Sequence, residues 1–336
     1  MNDAANTHAA WLAQVHEEAL EPELPICDAH HHLWLDEGHT GWPYTLDDLH
    51  RDTGSGHNIL RTVFLECGAQ YRTEGPAAFR PVGETEFVAA AAQASVASGG
   101  AEIAAIVSSA DLLDDSLDAV LDAHDAAGGG RFRGIRYITA QDDYKPLAMS
   151  TPPGVMQNDR YLAGVRRLGA RGLTYDTMCY FHQIPEFVTV ARACPDVTIV
   201  ANHLLGPVGV GPYKDRRREM LARWRASMTE VASCPNVFLK LGGIGMPMYM
   251  RWDRQAVPPT SAELAAAWQD EIRFCIETVG PSRSLFESNF PVDKRSCSYV
   301  VLWNAFKRIA TDYSPSEKRD LFHNSAARAY RLPPIP

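Results

Sequence analysis

Eight short apolar runs recur along this chain, separated by segments with helical character, and that alternation limits the folds open to it. The runs lie at 26–32, 62–67, 103–108, 132–138, 173–177, 197–202, 237–241 and 284–288. Each carries β-branched or aromatic residues between turn signals and reads as a strand. Helices are expected at 84–97, 111–127, 160–169, 185–193, 215–232, 261–279 and 297–311, the second ended by Gly128-Gly129-Gly130. Ser314-Pro315-Ser316-Glu317 opens one more helix, to about residue 330, with Ser314 as cap and Glu317 as capping-box acid. Strand–helix units repeated this way call for parallel strands joined by helical crossovers. Eight units over ~300 residues predict an α/β chain with one distorted (β/α)8 TIM barrel, at 24–336. It has an extra C-terminal helix and long βα loops, and residues 1–23 form an N-terminal extension. An open doubly wound sheet is the alternative, but no glycine-rich phosphate fingerprint follows the first strand.

Composition narrows the function classes. The 336 residues are 46% hydrophobic and 22% charged, an ordinary soluble globular balance. With 32 basic against 41 acidic residues the net charge is −9, so no nucleic-acid partner is expected. The cluster Lys214-Asp215-Arg216-Arg217-Arg218-Glu219 is interrupted by acids and reads as a solvated helix face. No run of 18 apolar residues predicts a membrane span, and residues 1–20 lack a signal-peptide pattern. Seven scattered cysteines, odd in number and without a CxxC pair, fit reduced thiols and a cytoplasmic location.

The chemistry concentrates in Asp28-Ala29-His30-His31-His32-Leu33-Trp34. On a strand, residues two apart share a face, so His30 and His32 should project together, with Asp28 beneath them and His31 turned away. Two such imidazoles can converge on one divalent metal or one substrate oxygen. A barrel also gathers the other strand ends, which carry Glu66, Arg136, His182, His203, Lys240, Asn289 and Asp293. Arg136 offers a planar fork for a carboxylate or a developing oxyanion. The long segments 33–58 and 140–159 follow strands and supply Trp42 and Tyr144 as expected contacts for a small-molecule substrate. Segment 242–260, with Met246, Met248, Tyr249, Met250 and Trp252, offers an apolar wall for a substrate or for the second copy of a homodimer.

The first of these motifs, together with Asn-His-Leu-Leu-Gly-Pro at 202–207 and Glu-Ser-Asn-Phe-Pro-Val-Asp-Lys at 287–294, resembles the amidohydrolase superfamily. More narrowly it resembles the amidohydrolase-2 branch, which includes lactone hydrolases and decarboxylases, over roughly residues 24 to 330. The resemblance implies a distorted barrel, with His30 and His32 as ligands of a divalent metal, zinc foremost. It implies that His182 and His203 complete the site as ligand or electrophile, and that an Asp ending strand eight is the base. Some lactone hydrolases of the branch use the same histidines without a metal.

Here Asn289 takes the Asp position, and an amide can neither accept a proton as a base nor bring a negative charge. Asp293 and then Glu66 are the candidates to replace it; the remaining alternative is a barrel that no longer hydrolyses. The expected function is opening of a lactone or similar cyclic ester by water attack. Asp293, His203, His182 and Arg136 would carry the catalysis, His30, His32 and His182 the metal. Arg136, Glu66, Asn289, Tyr144 and Trp42 would line the substrate. A metal-dependent non-oxidative decarboxylase and a non-catalytic small-molecule-binding barrel are the alternatives.

Overall fold

The computed structural model describes residues 3–149 and 151–334. Its strands are β1 (Ile26–His31), β2 (Ile59–Leu65), β3 (Glu102–Ser109), β4 (Phe132–Arg136), β5 (Thr174–Thr177), β6 (Ile199–Ala201), β7 (Val237–Lys240) and β8 (Ser284–Leu285). They pair in parallel in sequence order from β1 to β8. Beyond β8 the chain returns to β1: Asn289 N–H donates to His30 O at 2.8 Å, and His32 N–H to Phe290 O at 2.8 Å. The sheet thus curls round to meet itself as the expected (β/α)8 barrel.

Most strand interiors are apolar and fully buried, as a sheet covered by helices requires. The helix-facing cluster holds Phe64, Ile106, Tyr175, Ile199 and Phe286 among others. A smaller cluster of Cys27, Ala29, Val63, Leu65, Val107, Val200 and Leu285 is closed off by Ala326, Ala329, Tyr330 and Leu332 from the C-terminal helical segment. That segment begins as expected: Ser314 N–H donates to Glu317 at 2.8 Å, and Glu317 N–H to Ser314 at 3.3 Å. It is not one uniform helix. A wide turn at Asp320–Asn324 interrupts it, which lets Tyr330 reach the barrel interior.

Two helices lie where none was expected. One, α1 (Asp3–Leu12), falls in the N-terminal extension, and α2 (Leu46–Thr53) falls in segment 33–58, opened by a capping box between Thr45 and Asp48. Helix α1 runs across the loops at the C-terminal ends of the strands. Trp11 Nε1–H donates to Gln255 O at 3.0 Å, His8 Nε2 bonds Lys294 O at 2.8 Å, and the His8 ring stacks 4.8 Å from Trp42. The extension therefore ties together the loops after β1, β7 and β8.

Close strand approach depends on Gly134 of β4. A Cβ there would overlap Thr174 Oγ1 and lie 2.6 Å from the Thr174 carbonyl oxygen. Gly134→Ala is expected to destabilise the barrel by ~1–3 kcal/mol through overpacking, read as a lower midpoint in urea unfolding.

Candidate active site

The strand ends converge on one group of buried polar side chains. His30, the last residue but one of β1, is fully buried, and His32 just beyond the strand is almost as deep. Their Nε2 atoms lie 3.1 Å apart, as the alternation argument required. Asp28, however, is not beneath them. Pairing of β1 with β2 shifts register between Asp28 and His31, and such an irregularity breaks the two-residue period. Asp28 instead accepts hydrogen bonds from Tyr299 Oη at 2.9 Å and Ser288 N–H at 2.8 Å, fixing β1 to the helix Tyr299–Ile309 and to the turn after β8. Burial pushes its carboxyl up to about 6.

Glu287 stands at the centre. Its Oε1 is 2.7 Å from His203 Nδ1 and its Oε2 is 2.7 Å from His30 Nδ1, the latter off the line of a good hydrogen bond. The two rings sit 4.6 Å apart. One carboxylate thus takes the Nδ1 side of two imidazoles and leaves both Nε2 atoms on the far side. Sequence reasoning misses Glu287, because the family resemblance points to position 289. The two-residue alternation that picked out His30 and His32 would have paired Glu287 with Asn289.

Lys240, at the end of β7, is completely buried under His30. Its Nζ is 3.2 Å from Asp176 on β5, 3.3 Å from His30 Nδ1 and 3.9 Å from Glu287. Burial lowers the lysine pKa, opposed by these two carboxylates. Asp176 also accepts Tyr330 Oη–H at 2.7 Å and Asn202 Nδ2–H at 3.2 Å, so the C-terminal plug supports the floor of the site.

His32 Nδ1 bonds the Leu65 carbonyl at 2.8 Å, which places its proton on Nδ1 and leaves Nε2 bare. For His30, Nδ1 lies 2.7 Å from Glu287 Oε2 and 3.3 Å from Lys240 Nζ, and Nε2 faces the donor Arg136 Nη1 at 3.4 Å. Burial, reinforced by Lys240 and other neighbours for His30 and by Arg136 for His32, holds both imidazoles well below their ordinary pKa. The Nε2 atoms of the two rings face each other at 3.1 Å. That is the donor arrangement of a cation site, with carbonyl and carboxylate partners behind the ligands. Donor atoms of His30, His203 and Glu287 also lie within 4.8 Å of one another. The residues present fit a divalent metal.

Arg136 is not a free fork. Its Nε–H donates to Glu66 at 2.8 Å, a second nitrogen reaches the Glu66 backbone carbonyl, and Nη1 is 3.4 Å from His30 Nε2. Burial works against its charge, but Glu66 raises the pKa. Glu66 is thus the partner of Arg136 beside the histidines. The loop carrying it is pinned by buried Glu84, whose Oε1 accepts Cys67 N–H at 3.0 Å and Ala69 N–H at 2.7 Å.

Asp293 is fully buried but turned towards other partners. It accepts Gly245 N–H and Asn289 Nδ2–H, each at 2.8 Å. Burial pushes its carboxyl well above the ordinary value. Asn289 itself holds a left-handed backbone at φ 55°, its amide bridging to Asp293 rather than offering a charge. His182 faces Asp142 at 2.9 Å, outside the His30–His203–Glu287 group. Tyr144 is exposed on the loop after β4. Trp42 stacks on His8 and lines a 1040 Å³ cavity under α1.

With this geometry in place, the comparisons are decisive for the family. The sequence profile of the family described as Amidohydrolase matches residues 27–332. The chain belongs to the amidohydrolase superfamily, in its amidohydrolase-2 branch. An uncharacterized protein, y4mH, from Sinorhizobium fredii is 31% identical over 92% of this chain and 99% of its own length. A protein named L-fucono-1,5-lactonase from Burkholderia ambifaria is 26% identical over 91% of this chain and 95% of its own. Among solved structures, a Burkholderia multivorans amidohydrolase with bound Zn superposes with a TM-score of 0.73 at 22% identity, covering 92% of this chain and 99% of that one. The protein is therefore a hydrolase of this superfamily.

Two residues test the site without touching its donors. Gly243, at φ +71°, leaves no room for a side chain: a Cβ would lie 2.6 Å from His203 Nδ1. Gly243→Ala is expected to swing His203 off Glu287 and cut turnover by ~10²-fold or more, since an ångström of misplacement suffices. Circular dichroism should stay unchanged. Glu84 tests the support. Burial beside Glu66 pushes its carboxyl up to about 8 from 4.5, and its Oε2 has no partner. The folded state favours the protonated acid, so that stability is complete below about pH 4.5 and fades as pH rises through about 8. Relative to Glu84→Gln, the wild type should lose stability between pH 5 and 8.5, on the order of a few kcal/mol. Parallel pH dependences in thermal melts would refute this.

Proposed function

We propose that the protein opens a lactone by water attack, with His203 as base and Glu287 as its partner. The observation that carries this reading is the shared carboxylate. Glu287 receives His203 Nδ1–H at 2.7 Å, which fixes the tautomer and leaves Nε2 to take a proton from water. The same carboxylate stabilises the imidazolium that results. This arrangement supplies the base that Asn289 cannot, and it leaves Asp293 the role of holding Asn289 and the loop after β7. His30 and His32 would hold a divalent ion, zinc foremost, through their facing Nε2 atoms. When bound, the ion polarises the carbonyl oxygen and lowers the pKa of water. Arg136, fixed by Glu66 and 3.4 Å from His30 Nε2, adds positive charge beside the forming oxyanion. Tyr144 and Trp42 stand on the βα loops around the entrance and are proposed to shape the substrate side.

Six-membered sugar-acid lactones are the first substrates to assay, because two relatives are named L-fucono-1,5-lactonase. Reduced thiols at all seven cysteines accord with a cytoplasmic location. Among the described residues no helix is long and apolar enough to cross a membrane.

A lactone panel with a pH indicator tests the activity. The wild type should release acid, and His203→Ala and Glu287→Ala should each lower kcat by ~10²–10⁴-fold. Elemental analysis should find a stoichiometric metal that His30→Ala loses. Release of carbon dioxide instead of ring opening, or full activity in His203→Ala, would sink the proposal.

A further inference from the structure

The chain leaves β6 through a strained backbone. His203, Leu204 and Leu205 hold left-handed φ angles of 55°, 57° and 51°, and none of them is glycine. A Cβ makes that region costly, so even residues that visit it do so singly rather than in runs. Three in succession persist only where the surroundings hold them. Leu204 and Leu205 are buried and apolar, so the polar work of this turn falls on His203.

Two side chains from elsewhere in the fold grip the turn. Tyr249 Oη–H donates to the His203 carbonyl at 2.7 Å, and Trp224 Nε1–H donates to the Leu204 carbonyl at 2.7 Å. Tyr249 lies in the loop after β7 and Trp224 in the helix Arg217–Ala232; both are buried. On the other side, His203 N–H lies 3.3 Å from Glu287 Oε1, the oxygen that also holds Nδ1. The peptide groups flanking the His203 Cα are therefore both tied, and together they set the direction of its Cα–Cβ bond. Tyr249 is itself fixed. Its ring meets Trp268 edge to face at 5.7 Å, and Gly209 N–H donates to the neighbouring Met248 carbonyl at 2.9 Å. A Cβ at Gly209 would overlap the Tyr249 carbonyl oxygen, so the loops after β6 and β7 sit directly on each other.

Relaxing the turn would rotate His203 about its φ and carry the imidazole off its carboxylate. We propose that Tyr249 and Trp224 are positioning residues: their two hydrogen bonds hold the left-handed turn that keeps the His203 ring on Glu287. Neither touches the reacting atoms. Their part in turnover rests on the reading of His203 as base, whereas the bond from Nδ1 to Glu287 is present whatever reaction the imidazole serves.

The test reads that bond directly. An imidazole proton held by a carboxylate gives a proton resonance well downfield of the amides, and the one from His203 is identified by its absence in His203→Gln. In Tyr249→Phe and in Trp224→Phe this resonance should move upfield or vanish by exchange with water. On a six-membered lactone kcat should fall ~10–10²-fold, the scale of a small misplacement, while KM stays within ~2-fold. Circular dichroism should match the wild type. Tyr44→Phe is the control: it removes another buried tyrosine bond, Tyr44 Oη–H to Asp52 at 2.6 Å, on the loop after β1. It should keep both the resonance and the rate. Tyr249→Phe retains the ring and its packing on Trp268, so it decides the matter where the larger change at Trp224 disturbs its helix. An unchanged resonance in Tyr249→Phe would overturn the assignment. So would an equal fall of kcat in Tyr44→Phe, or a rise in KM alone, which would mark Tyr249 as part of a substrate wall. A wild type that opens no lactone is a separate failure: it removes the lactonase reading, and the resonance still decides whether Tyr249 and Trp224 hold His203.

Discussion

One carboxylate inside the barrel, Glu287, sets the state of the groups around it. Two imidazoles turn their Nδ1 sides to it at 2.7 Å, so it holds the proton of His203 on Nδ1 and sets which way both reactive edges face. A carboxylate this deep is costly unless its charge is met. Lys240 meets part of it at 3.9 Å while pairing more closely with Asp176. Counting these three groups, two negative charges face one positive, and Arg136 is already matched by Glu66. The floor of the site is therefore left with an excess of one negative charge among these groups. A divalent ion at His30 and His32, or a proton on an imidazole during turnover, would answer it. The same imbalance explains why neutral histidines are gathered here without further acidic partners.

The fold was legible in the sequence because it is built from periodic signals. Seven of the eight apolar runs became strands within a few residues of their expected ends. The eighth kept only Ser284–Leu285 as regular strand, because the residues after it bend to meet β1. The cap at Ser314 was readable because its chemistry is local. What could not be read was non-periodic. Asp28 left its expected place through a register shift, and His182 found Asp142 through two irregular loops separated by forty residues of chain. Helices α1 and α2 carry polar residues and short lengths that resemble loop composition. Glu287 obeys the same two-residue alternation as His30 and His32, but the family motif is centred on its neighbour two positions on.

The Asn at position 289 takes on a different meaning in this setting. Its φ of 55° is a region that asparagine tolerates better than most residues. The adjacent run His203, Leu204 and Leu205 also has positive φ, so backbone strain clusters at the mouth beside the reactive imidazoles. Asn289 N–H closes the barrel on His30 O, and its side-chain amide donates to Asp293, which in turn holds Gly245 N–H. A carboxylate at 289 would face Asp293 without a donor between them. Replacing acid by amide there removes a like-charge contact and joins the loops after β7 and β8. Gly243 and Gly245 lie in the first of those loops; a Cβ at 243 would overlap His203, and one at 245 would press on Asp293 at 3.0 Å. Asn289 thus serves here to tie the closing turn of the barrel, through Asp293, to the loop that passes beside His203.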